Sequence, residues 1–108
     1  PKSAYLSYGG EVLIKLTEVC ANGAVTTRHE YILREIFVNP QHVVMVREEA
    51  HMRQLNEQTP IAPSLNPAHR FSKLTINRGH TGTEIIVIGA PELVEQQLQV
   101  HRQQLLKG

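Results

Sequence analysis

The chain has 108 residues, enough for one domain, and carries 11 Lys and Arg against 10 acidic residues, a formal net charge of +1. All the acids are Glu; there is no Asp, no Trp and a single Cys. Without Asp there is no EF-hand loop, Ser-His-Asp triad or Asp dyad, and one Cys excludes an internal disulfide framework or a zinc site on paired cysteines. An apolar content of 41% is ordinary for a packed domain. No apolar run approaches the ~20 residues that span a bilayer, and no secretory signal is read, so a single cytoplasmic domain over residues 1–108 with no membrane partner is expected.

Val12 to Val19 opens the periodic pattern. Val12, Ile14 and Leu16 alternate with Leu13, Lys15 and Thr17, the mark of a strand with one buried face. Asn22-Gly23 follows, and Asn-Gly accepts positive φ at both centres of a tight turn. Val25 to Phe37 reads as the return strand, with a break near Glu30. Asn39-Pro40 is a turn, because Pro40 lacks a donor and drives Asn39 out of the helical region. His42 to Arg47 is a further short strand, expected to continue a meander.

From Arg47 to Glu57 the pattern becomes helical. Met52 and Leu55 are three apart, and Glu49 with Arg53 form an i,i+4 pair. Pro60, Pro63 and Pro67 then prevent any regular element, and a flexible loop is expected over residues 58–70. Phe71 to Asn77 resumes the strand pattern. Arg78-Gly79-His80-Thr81-Gly82 is a glycine-bracketed turn. Thr83 to Ile88 is the most β-prone segment. Ile85, Ile86, Val87 and Ile88 are consecutive, so both faces are apolar, as in a sheet centre or a subunit interface.

Pro91 suits a first helical position, and Glu92, Glu95, Arg102 and Lys107 match the helix dipole. Val94, Leu98 and Leu105 share one face of this helix, with His101 between and Leu93 and Val100 flanking. The predicted class is α+β: an antiparallel sheet of about five strands with two hairpins, closed by a C-terminal amphipathic helix.

Three strings resemble the FlbD/SwrD-like small flagellar and motility proteins. They are Ile14-Lys15-Leu16-Thr17 leading to Asn22-Gly23, then Val38-Asn39-Pro40-Gln41-His42-Val43-Val44, then Leu74-Thr75-Ile76-Asn77 with Gly79 and Pro91 to Leu98. The resemblance implies a hairpin, an asparagine-led strand, a second hairpin and a terminal helix, in an accessory protein without catalytic residues. This chain departs from that pattern by being longer and by inserting Arg47 to Arg70.

The chemistry-bearing residues are sparse. Six histidines are scattered, with no pair at i,i+2 in a strand or i,i+4 in a helix. No metal site or cofactor is expected. Cys20 ends the first strand with no base beside it in sequence, so a structural thiol is expected. Glu48-Glu49 are neighbours whose side chains diverge and share no proton. The secondary amine of Pro1 offers a general base of the kind used by tautomerases that begin with proline. An Asn-Gly hairpin after the first strand, where those enzymes have a helix, ranks this reading third.

The most unusual feature is electrostatic. No acid occurs from Gln58 to Thr83, a stretch that holds Arg70, Lys73, Arg78 and His80. These four are the candidate anion or nucleic-acid contacts, and a nucleic-acid-binding regulatory module is the second functional reading. The first is a non-enzymatic binding or assembly module. A sheet with one long helix cannot cover all the apolar surface on offer, which predicts a homo-oligomer, or a protein partner, joined through Ile85, Ile86, Val87, Ile88, Val94 and Leu98.

Overall fold

The computed structural model describes the backbone of residues 5–8, 11–23, 30–79 and 81–107, and the side chains of 13–23, 30–77, 79 and 82–99. The class is α+β, as expected. The strands are β1 (Tyr5–Tyr8), β2 (Glu11–Ala21), β3 (Tyr31–Val38), β4 (Val43–Glu48), β5 (Phe71–Arg78) and β6 (Thr81–Ile88). The helices are α1 (Ala50–Gln58) and α2 (Pro91–Lys107), with a 3₁₀ turn at Pro40–His42. All six strands join one antiparallel sheet in the order β1-β2-β6-β5-β4, and β3 lies on the other edge of β2. The sixth strand, β1, comes from a segment with no clear strand pattern.

Two local expectations are corrected. The strand that pairs with the end of β2 is described from Tyr31, after a bend at Glu30 where a break is expected, and the tight Asn22-Gly23 turn is not formed. Ala21 pairs with Tyr31, and the Asn22 N–H donates to the Glu30 carbonyl at 2.8 Å, so the connection is far longer than a two-residue turn. Residues 24–29 lie outside the described residues. The meander also ends early. β4 pairs with β5, not β3, because the turn at Pro40 redirects the chain. Asn39 fixes that turn by accepting from the Gln41 N–H at 2.9 Å, and Pro40 is buried. The second hairpin is as tight as its glycines suggest: Arg78 pairs with Thr81, and Gly79 takes φ +77°.

Both faces of the sheet are buried, which accounts for the run Ile85 to Ile88. β6 is central, flanked by β2 and β5. Ile85 and Val87 join Ile14, Leu16, Val43 and Leu74 in a core on one face, closed by Val94 and Leu98 of α2. Ile86 and Ile88 point to the other face and pack with Val19, Leu33 and Phe71. Its cover is α1, through Met52 and Leu55, and the loop after it, through Ile61, Ala62 and Leu65. Val43 and Val46 both enter the first core although an odd spacing separates them. A β-bulge between Val43 and Met45 supplies the extra residue.

The sheet is strongly curled. β2 and β6 meet only at Glu18–Val87. Continued along the strands, that register would set Thr83 opposite Asn22. Yet Thr83 and Ile76 line one cavity with Leu13 and Val38. Asn22 and Leu13 are ~30 Å apart along an extended strand at about 3.3 Å per residue. Only a curl that folds β2 and β3 across β4, β5 and β6 brings these residues together, with α2 laid against β2, β4 and β5.

At the end of β6 the chain turns into α2 through Gly89. Its φ of +128° and the 3.2 Å from a built Cβ to the Val94 side chain leave no room for another residue without strain. Its carbonyl accepts from the buried Ser72 hydroxyl at 2.7 Å.

Candidate functional site

The structure pairs the two described members of the basic strip with acids. Arg70 and Lys73 lie at the start of β5, which pairs with the end of β4: Arg47 opposite Lys73, Glu48 opposite Ser72. That register brings two acids from outside the acid-free stretch onto the strip. Arg70 forks onto Glu48, with both contacts at 3.1 Å, and reaches Glu92 of α2 at 3.7 Å. Lys73 pairs with Glu49 at 3.4 Å. The Arg78 side chain and His80 lie outside the described residues. The two described members are therefore locally neutralised, and the reason is long-range pairing that the sequence does not display.

Glu48 is the hub of this cluster, since Arg53 also reaches it at 3.0 Å. Arg53 in turn pairs with Glu57, so the expected Glu49–Arg53 pair is replaced by Arg53–Glu57 and Arg53–Glu48. Glu49 instead caps α1, accepting from the Met52 N–H at 3.4 Å. The cluster ties the starts of α1 and α2 to the β4–β5 end of the sheet.

The Arg70 guanidinium, opposed by desolvation and helped by Arg53, holds the Glu48 carboxyl below its usual range. A group with a depressed folded value stabilises the protein above its unfolded value and loses that contribution as pH falls through the folded one. Urea unfolding of the wild type and Glu48→Gln across about pH 3 to 7 is expected to show a gap that is full near neutrality and closes in acid, below about pH 4.3. A gap independent of pH would assign the effect to packing.

Cys20 stands beside Glu18 and Arg34 on β2 and β3. Burial, then the Glu18 carboxylate, pushes the Cys20 thiol up, against the opposing pull of Arg34. A thiol held protonated is a poor nucleophile. Among the described residues, no three His, Cys or Glu side chains converge as metal ligands would. His51 is exposed, and His69 accepts from the Asn66 N–H at 3.0 Å. Pro1 lies outside the described residues. No helix among them is long and apolar enough to cross a membrane.

The six candidate interface residues have a different fate. Val87, Val94 and Leu98 are at most 2% exposed and belong to the first core. Ile85, Ile86 and Ile88 are half-buried and pack against one core or the other. The apolar surface that looked surplus is absorbed because the proline-rich loop and α1 supply a second cover.

Different apolar residues reach solvent. Among the described residues the exposed large ones are Ile32, Phe37, Val44, Met45 and Leu93. Four of these five sit on β3 or β4, each hydrogen-bonded to a sheet neighbour on one side only among the described residues. Sequence reasoning missed them. Their apolar character was visible, but which strands become edges was not.

A cavity of about 380 Å³ lies where the curled sheet opens near the Pro40–His42 turn. Leu13, Val38 and Ile76 form apolar wall, and Phe37, His42 and Thr83 stand around it. Comparison with protein-family models, curated proteins and solved structures gives no match for this chain.

Proposed function

We propose that the chain is a non-enzymatic binding and assembly module that works as a homo-oligomer joined through its outer strands. One observation carries this reading: the exposed apolar residues Ile32, Phe37, Val44 and Met45 fall on β3 and β4, whose outer edges have no strand neighbour among the described residues. Unpaired backbone donors and acceptors flanked by apolar side chains are a template for adding another strand. The nucleic-acid reading has less support, because Arg70 and Lys73 are already ion-paired. The resemblance to FlbD/SwrD-like accessory proteins is supported by the same order of hairpin, strand, hairpin and terminal helix. We place the protein in the cytoplasm, where its single thiol would stay reduced.

The test is mass in solution. At about 50 µM, light scattering on the wild type is expected to give at least twice the chain mass, since assembly follows mass action. Val44→Lys combined with Met45→Lys is expected to lower that mass with the circular dichroism unchanged. A wild type of single-chain mass would end this reading.

A further inference from the structure

We propose that the cavity at the mouth of the curled sheet is a binding site for a small aromatic carboxylate. Its volume of about 380 Å³ lies at the small end of ligand clefts, which run from ~300 to 1,000 Å³. Leu13, Val38 and Ile76 make much of its lining apolar. Phe37 stands at the wall with 39% of its surface open to solvent. A flat ring entering the cavity can stack on that face or meet it edge-on.

The polar groups select the other end of the ligand. Among the described residues, neither the His42 ring nor the Thr83 hydroxyl has a hydrogen-bond partner, and both residues line the cavity. Each can donate. The Asn39 side-chain oxygen, also in the lining, already accepts from the Gln41 N–H at 2.9 Å. Among the described residues no Glu lines the cavity, so no carboxylate of theirs stands there to repel an anion. Two donors beside apolar lining can each serve one oxygen of a carboxylate whose ring lies against the apolar side chains.

The donors are also held in place. His42 ends the 3₁₀ turn, and its backbone N–H donates to the Asn39 carbonyl at 3.0 Å. Thr83 is fixed in β6 opposite Ile76 of β5. A site whose donors are fixed before binding loses less freedom when the ligand arrives.

The experiment titrates phenylacetate, with phenylacetamide and acetate as controls, into the ¹⁵N-labelled chain. Saturable shifts are expected at the amides of Val38, His42, Ile76 and Thr83. Affinity is expected to fall about tenfold or more for either control, and by a similar factor in His42→Ala and in Phe37→Ala. The same titration on the Val44→Lys, Met45→Lys variant is expected to be unchanged, so the site stands or falls apart from assembly. No saturable shift at about 10 mM phenylacetate, equal affinity for phenylacetamide, or undiminished binding in a folded His42→Ala variant would overturn it.

Discussion

Truncating Leu98 to Ala is expected to lower the unfolding free energy by about 3 kcal/mol, within the ~2–5 kcal/mol seen for buried Leu→Ala changes. Leu98 is 1% exposed, and among the described side chains of α2 it enters the first core with Val94. It meets Val43 and Val46 of β4 as well as Leu74 and Val87 of the sheet centre. Removing three carbons leaves a cavity that the paired strands cannot collapse to fill. Against a total stability of about 5–15 kcal/mol for a typical domain, this is a large fraction. Leu98→Glu would bury an unpaired carboxylate among those residues, and no folded protein is expected from it. The control is Leu93→Ala, one turn earlier on the solvent side at 59% exposed, which is expected to change stability by less than ~0.5 kcal/mol. Urea denaturation of both variants settles the matter. Equal small losses would mean that α2 is not held as described.

The second large effect is expected at Asn56. Its side chain is fully buried on α1. It donates to the Asn66 carbonyl at 2.6 Å and accepts from the Ile61 N–H at 3.2 Å. Asn56→Ala leaves the buried Ile61 N–H without its acceptor, at ~1–3 kcal/mol, whereas the Asn66 carbonyl keeps the His69 N–H at 3.1 Å. A loss of about 2 kcal/mol is expected, with amide exchange accelerated at Ile61 to Leu65 before the β5–β6 hairpin responds. Gln54→Ala, on the exposed side of the same helix, is expected to be close to neutral. Unaltered exchange at Ile61 and Leu65 in Asn56→Ala would show that apolar packing alone fixes the loop.

These two residues also show what the sequence could and could not convey. The period-two run at Ile14 and Leu16, the double-faced run Ile85 to Ile88, and the proline-led helix with Val94 and Leu98 are local patterns, and each produced the element expected. Asn56 has no such signature. Nothing in Asn-Glu-Gln-Thr marks a side chain that binds backbone five and ten residues further on. Ile61, Ala62 and Leu65 lie among prolines at irregular spacing, so no period announces their burial. The candidate contacts suffered from the same limit. Arg70 and Lys73 look unopposed along the chain, but Glu48 and Glu49 arrive through the β4–β5 ladder. Strand pairing over more than twenty residues is decided by the whole fold. The edge residues Val44 and Met45, and the cavity around His42, depend on that pairing and on the curl.

Glu48 and Ser72 are direct neighbours across the β4–β5 ladder, and the Glu49 N–H donates to the Phe71 carbonyl at 2.9 Å. The chain thus leaves the sheet and returns to it at one point, and the segment between is a closed excursion. Its stem is held by the ladder whatever the excursion does, so letting go of it adds little loop-closure entropy. Unlatching α1 and its loop breaks contacts with Val19, Phe71, Ile86 and Ile88 but no rung of the sheet. Two opening free energies are therefore expected in one small domain, a lower one for the latch and a higher one for the curled sheet and α2.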